Sequence, residues 1–295
     1  MGLNGKRILL TGASGFVGSH LSRELRRQGA EVLAIADKRA SRIDIRDWQG
    51  IRAFGGQLGR IDLTYHLAAL MFVPYSFDNP RETYEVNLLG TLNILELCRL
   101  YGIPKIIFAS SYVYGQPRSL PIDEEHPPNP NSPYARSKLL GEGLCRSYHD
   151  DHGLSCVVLR SFNLYGEGQR GGFLIPSVLE QVRTGVVKLK DPKPRRDYLY
   201  ISDAIDAYVK AGEYNKTDFE VFNIGSGESY SVRDIVDRIV RAWGKETKVK
   251  YLYQRRRGEI ADVVADIRKA RDLLAWQPKV SSEEGIQRCL QQYKA

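Results

Sequence analysis

Short apolar runs and amphipathic stretches alternate along the first 165 residues. Ile8-Leu9-Leu10 is such a run, and a glycine-rich turn follows it. Beyond the turn, Val17, Leu21 and Leu25 recur at helical spacing on one face. Gly29-Ala30 ends that helix, and residues 31–35 read as the next strand. The same reading predicts strands near 62–67, 105–110 and 155–162, with helices over 81–101 and 134–152. Strands that are apolar throughout, separated by helices, belong to a parallel sheet covered on both faces and joined by right-handed crossovers. The expected fold class is therefore α/β, a doubly wound parallel sheet. After about Gly166 the elements shorten, and proline, glycine and charge become denser, as at Lys190-Asp191-Pro192-Lys193-Pro194. That change predicts a dinucleotide-type domain over 1–165 and a smaller mixed α/β C-terminal domain over 166–295. The chain is expected to return to the sheet near 198–212.

Composition narrows the class. Hydrophobic residues make up 42% and charged residues 26%, the balance of a soluble globular chain. No apolar run reaches the roughly 18 residues of a membrane span, so no membrane partner is expected. The first strand begins by Arg7, which leaves no room for a leader. Cys98, Cys145, Cys156 and Cys289 fall in no CxxC or similar ligand cluster. They read as reduced thiols of a cytoplasmic protein with no metal site. The net charge is +8, but Arg195-Arg196 and Arg255-Arg256-Arg257 are short and embedded rather than gathered in a tail. No nucleic-acid module accompanies them, so nucleic acid is not an expected partner. Arginines that clamp an anionic small molecule are the better reading.

Two motifs carry chemistry. In residues 11–18 (TGASGFVG) three glycines lie between a strand and a helix. Gly12 permits the tight turn, Gly15 lets backbone approach a pyrophosphate, and Gly18 lets helix and strand pack closely. The amides around Ser14, Gly15, Phe16 and Val17 then face phosphate at a positive helix end. The second motif is YxxxK, Tyr134-Ala135-Arg136-Ser137-Lys138. Residues four apart share a helix face, so the phenol and the ammonium project into one site. A free tyrosine is a poor base at neutral pH. A neighbouring cation lowers the cost of its phenolate, which lets it exchange a proton with a substrate hydroxyl.

With these motifs the chain resembles the extended short-chain dehydrogenase/reductase family, whose familiar member is UDP-galactose 4-epimerase. The likeness runs from about Lys6 to Gly285 in the family's motif order. It implies a Rossmann-type sheet and an NAD or NADP cofactor. Leu67, Ala68 and Ala69 resemble its HLAA strand end beside the nicotinamide, and Asn87 opens its NxxGT segment. Asp44-Ile45 resembles the pair that holds adenine. The family's ribose-binding acid is expected at position 36, which is Ala36; Asp37 comes one residue late, and Lys38 and Arg39 follow. Asp37 favours NAD, whereas the two cations suit a 2′-phosphate.

Residues 108–115 (FASSYVYG) resemble the family's SSxxVYG strand end. Counting back from Val113-Tyr114-Gly115 places the catalytic hydroxyl at Ser110, which with Tyr134 and Lys138 makes a triad. Ser111 and Tyr112 are then expected beside substrate. The family's dehydratases carry Asp-Glu there and its decarboxylases keep the glutamate, so neither chemistry is expected here. The resemblance gives further substrate contacts to Ser76 of SxxNP and Asn163 of LRxFNxYG. It gives diphosphate contacts to Arg196 of RDY and Arg256 of RxGD. It also implies a homodimer formed as a four-helix bundle by the helices over 81–101 and 134–152. Leu89, Leu92, Leu95, Leu139 and Leu140 fit either that interface or the core. The expected substrate is a nucleotide-diphosphate sugar. The expected reaction is 4-epimerisation of a UDP-sugar through a transient 4-keto intermediate, with NAD. The alternative is reduction of a 4-keto-sugar by NADPH. A cofactor-binding redox sensor is disfavoured by the complete triad.

Overall fold

A computed structural model describes residues 2–35, 43–254 and 259–294. The chain opens with β1 (Arg7–Thr11), α1 (Phe16–Arg27) and β2 (Glu31–Ile35), then α2 (Trp48–Gly55) and β3 (Leu63–His66). Next come two short helices, α3 (Val73–Asp78) and α4 (Pro80–Tyr84). A π-helical turn, Glu85–Leu89, joins α4 to α5 (Gly90–Leu100). β4 (Lys105–Ser111), α6 (Pro133–His152) and β5 (Ser155–Ser161) follow. The later elements are β6 (Asn163–Tyr165), α7 (Leu174–Val182), β7 (Val186–Leu189), β8 (Arg195–Tyr200), α8 (Ile201–Glu213) and β9 (Phe219–Ile224). The chain closes with β10 (Ser229–Ser231), α9 (Val232–Trp243), β11 (Lys248–Tyr251), α10 (Arg268–Leu274) and α11 (Ser282–Lys294). None of the helices is long and apolar enough to cross a membrane, among the described residues.

Six strands form the central parallel sheet in the order β2-β1-β3-β4-β5-β9. The order reverses beside β1, the topological switch of a Rossmann-type sheet. Successive side chains of each strand enter different cores, as the two-residue period requires. Leu9, Ile106, Phe108 and Val158 pack with α2, α5 and α6. Ile8, Leu10, Ile107 and Val157 pack with α1 and α8 on the other face.

The return of the chain to the sheet differs from the expectation. Residues 198–212 contribute the end of β8 and then helix α8, which packs on β4 and β5. β8 itself joins a separate three-stranded sheet, β10-β8-β6. The strand that completes the large sheet is β9, which pairs with β5 from Cys156↔Phe219 to Ser161↔Ile224. The apolar run at 198–201 is buried by the smaller sheet and α8, so hydrophobicity alone did not distinguish the two destinations.

Helix α6, which carries YxxxK, has local signals at both ends. Ser132 accepts a hydrogen bond from the Ala135 amide, and Pro133 occupies the first turn. Gly153 closes the helix in the left-handed region at φ 69°.

Candidate active site

The glycine turn is built to exclude side chains. A Cβ at Gly18 would lie 2.0 Å from the Gly12 carbonyl oxygen, so only glycine lets α1 pack against the turn. Gly12 has φ +71°, and a Cβ there would lie 2.8 Å from the Ala68 amide. The end of β3 thus sits directly against the turn. Gly15 precedes α1 with no side-chain cap among the described residues, and its own amide donates to the Gly12 carbonyl, so the amides of the first turn, from Phe16, are offered to a ligand. These features fit a dinucleotide pyrophosphate at residues 12–18, with Leu67, Ala68 and Ala69 alongside.

A buried chain of hydroxyls holds β1 and β3 in register at this point. The Thr11 hydroxyl oxygen accepts from the Leu67 and Ala68 amides, both at 3.0 Å. Its proton is therefore free for His66 Nδ1, 2.8 Å away. His66 Nε2 then donates to Thr91 Oγ1 at 3.0 Å, and Thr91 donates to the Asn87 carbonyl. Both contacts suit the neutral Nε2–H tautomer. Burial, aided by the Lys138 cation, pushes the His66 pKa down to about 3.

The catalytic candidates meet at the end of β4. Lys138 is buried and donates to the Ala109 carbonyl at 2.8 Å. Burial lowers its pKa to about 8 against the partial support of Cys145 and Glu142. The Tyr134 phenol is raised by burial, and the nearby Ser111 side chain offsets part of the rise. Ser110 is engaged elsewhere. Its hydroxyl donates to Glu142, and the Glu142 carboxylate is paired with Arg160 at 2.7 Å.

The structure therefore brings Tyr134, Lys138 and Ser111 together and turns Ser110 away from Tyr134. A one-residue difference from the family pattern leaves two counts open. The chain reads SSxVYG, one position shorter than SSxxVYG. Counting back from Val113-Tyr114-Gly115 reaches Ser110, whereas matching the SS pair to Ser110-Ser111 puts its second serine at Ser111. Ser111 is still within the strand and pairs with Ser161 of β5, so the shorter spacing to Val113 falls at and after the strand end. Tyr112 takes up the space. Its ring packs edge-on against Tyr114 and Phe162, and its hydroxyl donates to the Gly115 carbonyl at 2.5 Å.

Other expected contacts resolve differently. Ser76 is buried, and its hydroxyl donates to the Val73 carbonyl within α3. Asn87 lies in the π-helical turn with its amide fully used. It accepts from the Leu70 amide and donates to the Leu70 carbonyl and to Ser137. It ties the residue after the Leu67-Ala68-Ala69 strand end to α6. Asp44 is ion-paired with Arg46, and Ile45 is buried against Gly90. Asp37, Lys38, Arg39 and Arg256 lie outside the described residues.

A cavity of about 270 Å³ opens against β6, one face of β8 and the start of α7. Asn163, Phe173, Lys190, Arg196, Tyr198 and Glu259 are among its lining residues. Asn163 donates to the Asp197 carbonyl at 3.0 Å. Arg196 donates to the Arg195 and Ile260 carbonyls and to Glu259; among the described residues its Nε–H and one Nη2–H have no partner. The partner Glu259 is a site residue that sequence reading treated only as a motif position.

A parallel sheet with a side-chain-excluding glycine turn at its switch, beside a Tyr-Lys pair at a neighbouring strand end, defines an NAD(P)-dependent enzyme of the extended short-chain dehydrogenase/reductase type. The family model of the NAD dependent epimerase/dehydratase family matches residues 8–225, and the chain belongs to that family. A UDP-glucose 4-epimerase from Mycolicibacterium smegmatis is 32% identical over 311 residues, covering 98% of both chains. Among solved structures, the UDP-glucose 4-epimerase of Thermus thermophilus in complex with NAD has a TM-score of 0.89 at 32% identity, covering 98% of this chain and 99% of its own. RMD from Pseudomonas aeruginosa, complexed with NADPH, has a TM-score of 0.88 at 28% identity, with the same coverage.

Proposed function

We propose that this protein interconverts the C4 epimers of a UDP-sugar with a tightly held NAD. The observation that carries the reading is the buried Lys138 donating to the Ala109 carbonyl near the end of β4, with Tyr134 on the same face of α6, one strand away from β3, whose end lies against the glycine turn. The bound dinucleotide supplies the hydride acceptor and then the donor. Tyr134 takes the proton of the 4-hydroxyl as hydride leaves C4, and returns it after the keto-sugar has turned over. The Lys138 ammonium stabilises the phenolate in a dry site. Ser111 donates to the oxygen undergoing oxidation, the role first expected of Ser110. Tyr112 packs, and no carboxylate stands at 111 or 112 to eliminate water.

Asn163 and Arg196, at the cavity wall, are proposed to hold the diphosphate end of the substrate. Guanidinium suits phosphate by its planar fork, and Glu259 fixes the plane of Arg196. UDP as the nucleotide rests on the likeness to the UDP-glucose 4-epimerases. The competing reading, a 4-keto-sugar reductase, rests on Lys38 and Arg39 and on the NADPH complex of RMD. A homodimer through α5 and α6 belongs to the same proposal.

The test is to purify the protein, denature it and identify the released cofactor, then to supply UDP-glucose or UDP-galactose without added cofactor. The expected result is stoichiometric NAD and interconversion of the two sugars or their close relatives. An empty protein that consumes NADPH only when given a keto-sugar would replace the epimerase with the reductase.

A further inference from the structure

Helix α6 carries three polar residues four apart, Tyr134, Lys138 and Glu142, which therefore share one face. Each meets a different residue at the end of β4. Tyr134 has the Ser111 side chain near it, Lys138 donates to the Ala109 carbonyl and Glu142 accepts from Ser110. The third contact is set in a rigid frame. Arg160 stands beside Ser110 in the neighbouring strand. It donates to Glu142 through Nε at 3.1 and 3.2 Å and through Nη2 at 2.7 Å. The two side chains are only 7% and 5% exposed. The remaining Arg160 nitrogen, Nη1, donates to the Tyr114 hydroxyl at 3.0 Å, and Tyr114 in turn donates to Asn223 of β9. Between these polar contacts the helix is pressed onto the strand. A Cβ at Gly141 would lie 2.7 Å from the Phe108 ring.

We infer that the buried Glu142–Arg160 pair, with Ser110, is a positioning device that fixes the height of α6 on β4, so that Tyr134 and Lys138 stand at the strand end where Ser111 is. The inference rests on the proposed roles of Tyr134 and Lys138. Its physical basis is that a buried ion pair gives little net stability over apolar residues of the same volume, yet its directional hydrogen bonds allow one geometry. Apolar packing alone would let the helix settle along the strand. A displacement on the order of 1 Å at reacting groups costs roughly a hundredfold in rate. Ser110, Glu142 and Arg160 are positioning residues, and none of them touches the substrate.

The test compares wild type, the paired apolar replacement Glu142→Leu with Arg160→Met, Ser110→Ala and Ser111→Ala. Melting temperature, NAD affinity, and kcat and KM for the nucleotide sugar are measured for each. The paired variant avoids a lone buried charge, so it is expected to fold, to bind NAD and to keep KM within about threefold, while kcat falls at least about tenfold. Ser111→Ala is expected to lose more than about a hundredfold in kcat, and Ser110→Ala less than about tenfold. A folded paired variant with wild-type kcat overturns the inference. If that variant fails to fold, the serine pair decides. A loss at Ser110→Ala as large as at Ser111→Ala overturns the inference, and the expected order upholds it. A wild-type protein with no turnover on any nucleotide sugar removes the functional reading, and this inference with it.

Discussion

Two buried basic side chains show how environment sets chemistry at single residues. Lys138 has its pKa lowered from 10.5 to about 8, chiefly by burial. Its ammonium is present below that value and lost above it. The Tyr134 phenol is itself raised by burial, so its phenolate depends on that ammonium. Turnover is therefore expected to fall as pH rises through about 8, and Lys138→Met should lower kcat by roughly a hundredfold or more at neutral pH. The linkage sign for stability runs the other way. Between about 8 and 10.5 the unfolded chain binds the lysine proton and the folded one does not, so this residue's contribution to stability rises with pH. Rate profiles with parallel thermal melts separate the two, and a kcat that stays level well above pH 8 would contradict the assignment. His66 offers a second case. Its folded pKa of about 3 lies below the ordinary 6.5. The stability this contributes is full above the unfolded value and is lost as pH falls from 6.5 towards 3. His66→Gln should flatten that part of the acid unfolding curve; an unchanged curve would mean that His66 does not titrate with unfolding.

Elements explain both what the sequence revealed and what it concealed. The glycine turn and YxxxK were legible because each depends on spacing within one strand-turn-helix or one helix. The serine at the end of β4 was not, because the choice between Ser110 and Ser111 depends on where a missing residue is absorbed and on Glu142 of another element. The uses of Ser76 and Asn87 were hidden for the same reason, since their partners are backbone groups that a motif does not show. Lys105 is another such residue, an ordinary strand-opening lysine in the sequence. In the fold its ammonium reaches the C-terminus of α8 and donates to the carbonyls of Ala211, Gly212 and Tyr214, at 2.7, 3.0 and 2.6 Å. Three donors thus satisfy three carbonyls left open by the helix end. Lys105→Met should strand those acceptors and destabilise the protein by about 1–3 kcal/mol, with the active site intact. Chemical denaturation is the measurement, and a midpoint equal to wild type would show that water replaces the ammonium without loss.

At the scale of the whole molecule, α5 and α6 expose leucines that no other described residue covers. The leucines that the sequence left undivided between core and interface are divided by the fold. Leu95 is fully buried in the core, whereas Leu89, Leu92 and Leu140 are 42%, 37% and 50% exposed. Leu89 and Leu92 lie on and just after the π-helical turn, and Leu140 lies on α6, which packs against both the turn and α5. Neighbouring helices that each expose leucine form an apolar surface of the kind that marks an interface. A twofold pairing of these two helices with their copies would bring four helices together and bury the leucines, with like meeting like across the axis. Such an interface needs roughly 1,200 Å² or more of buried surface to be stable, within reach of two helices from each chain. Wild type is therefore expected to sediment as a dimer at micromolar concentration. The double variant Leu92→Glu with Leu140→Glu would place four carboxylates in an apolar seam and should sediment as a monomer. As exposed positions, these substitutions should each change monomer stability by no more than about 0.5 kcal/mol, so the variant's circular dichroism should match wild type. A wild-type protein that is monomeric throughout that range, or a variant that remains dimeric, would move the interface away from α5 and α6.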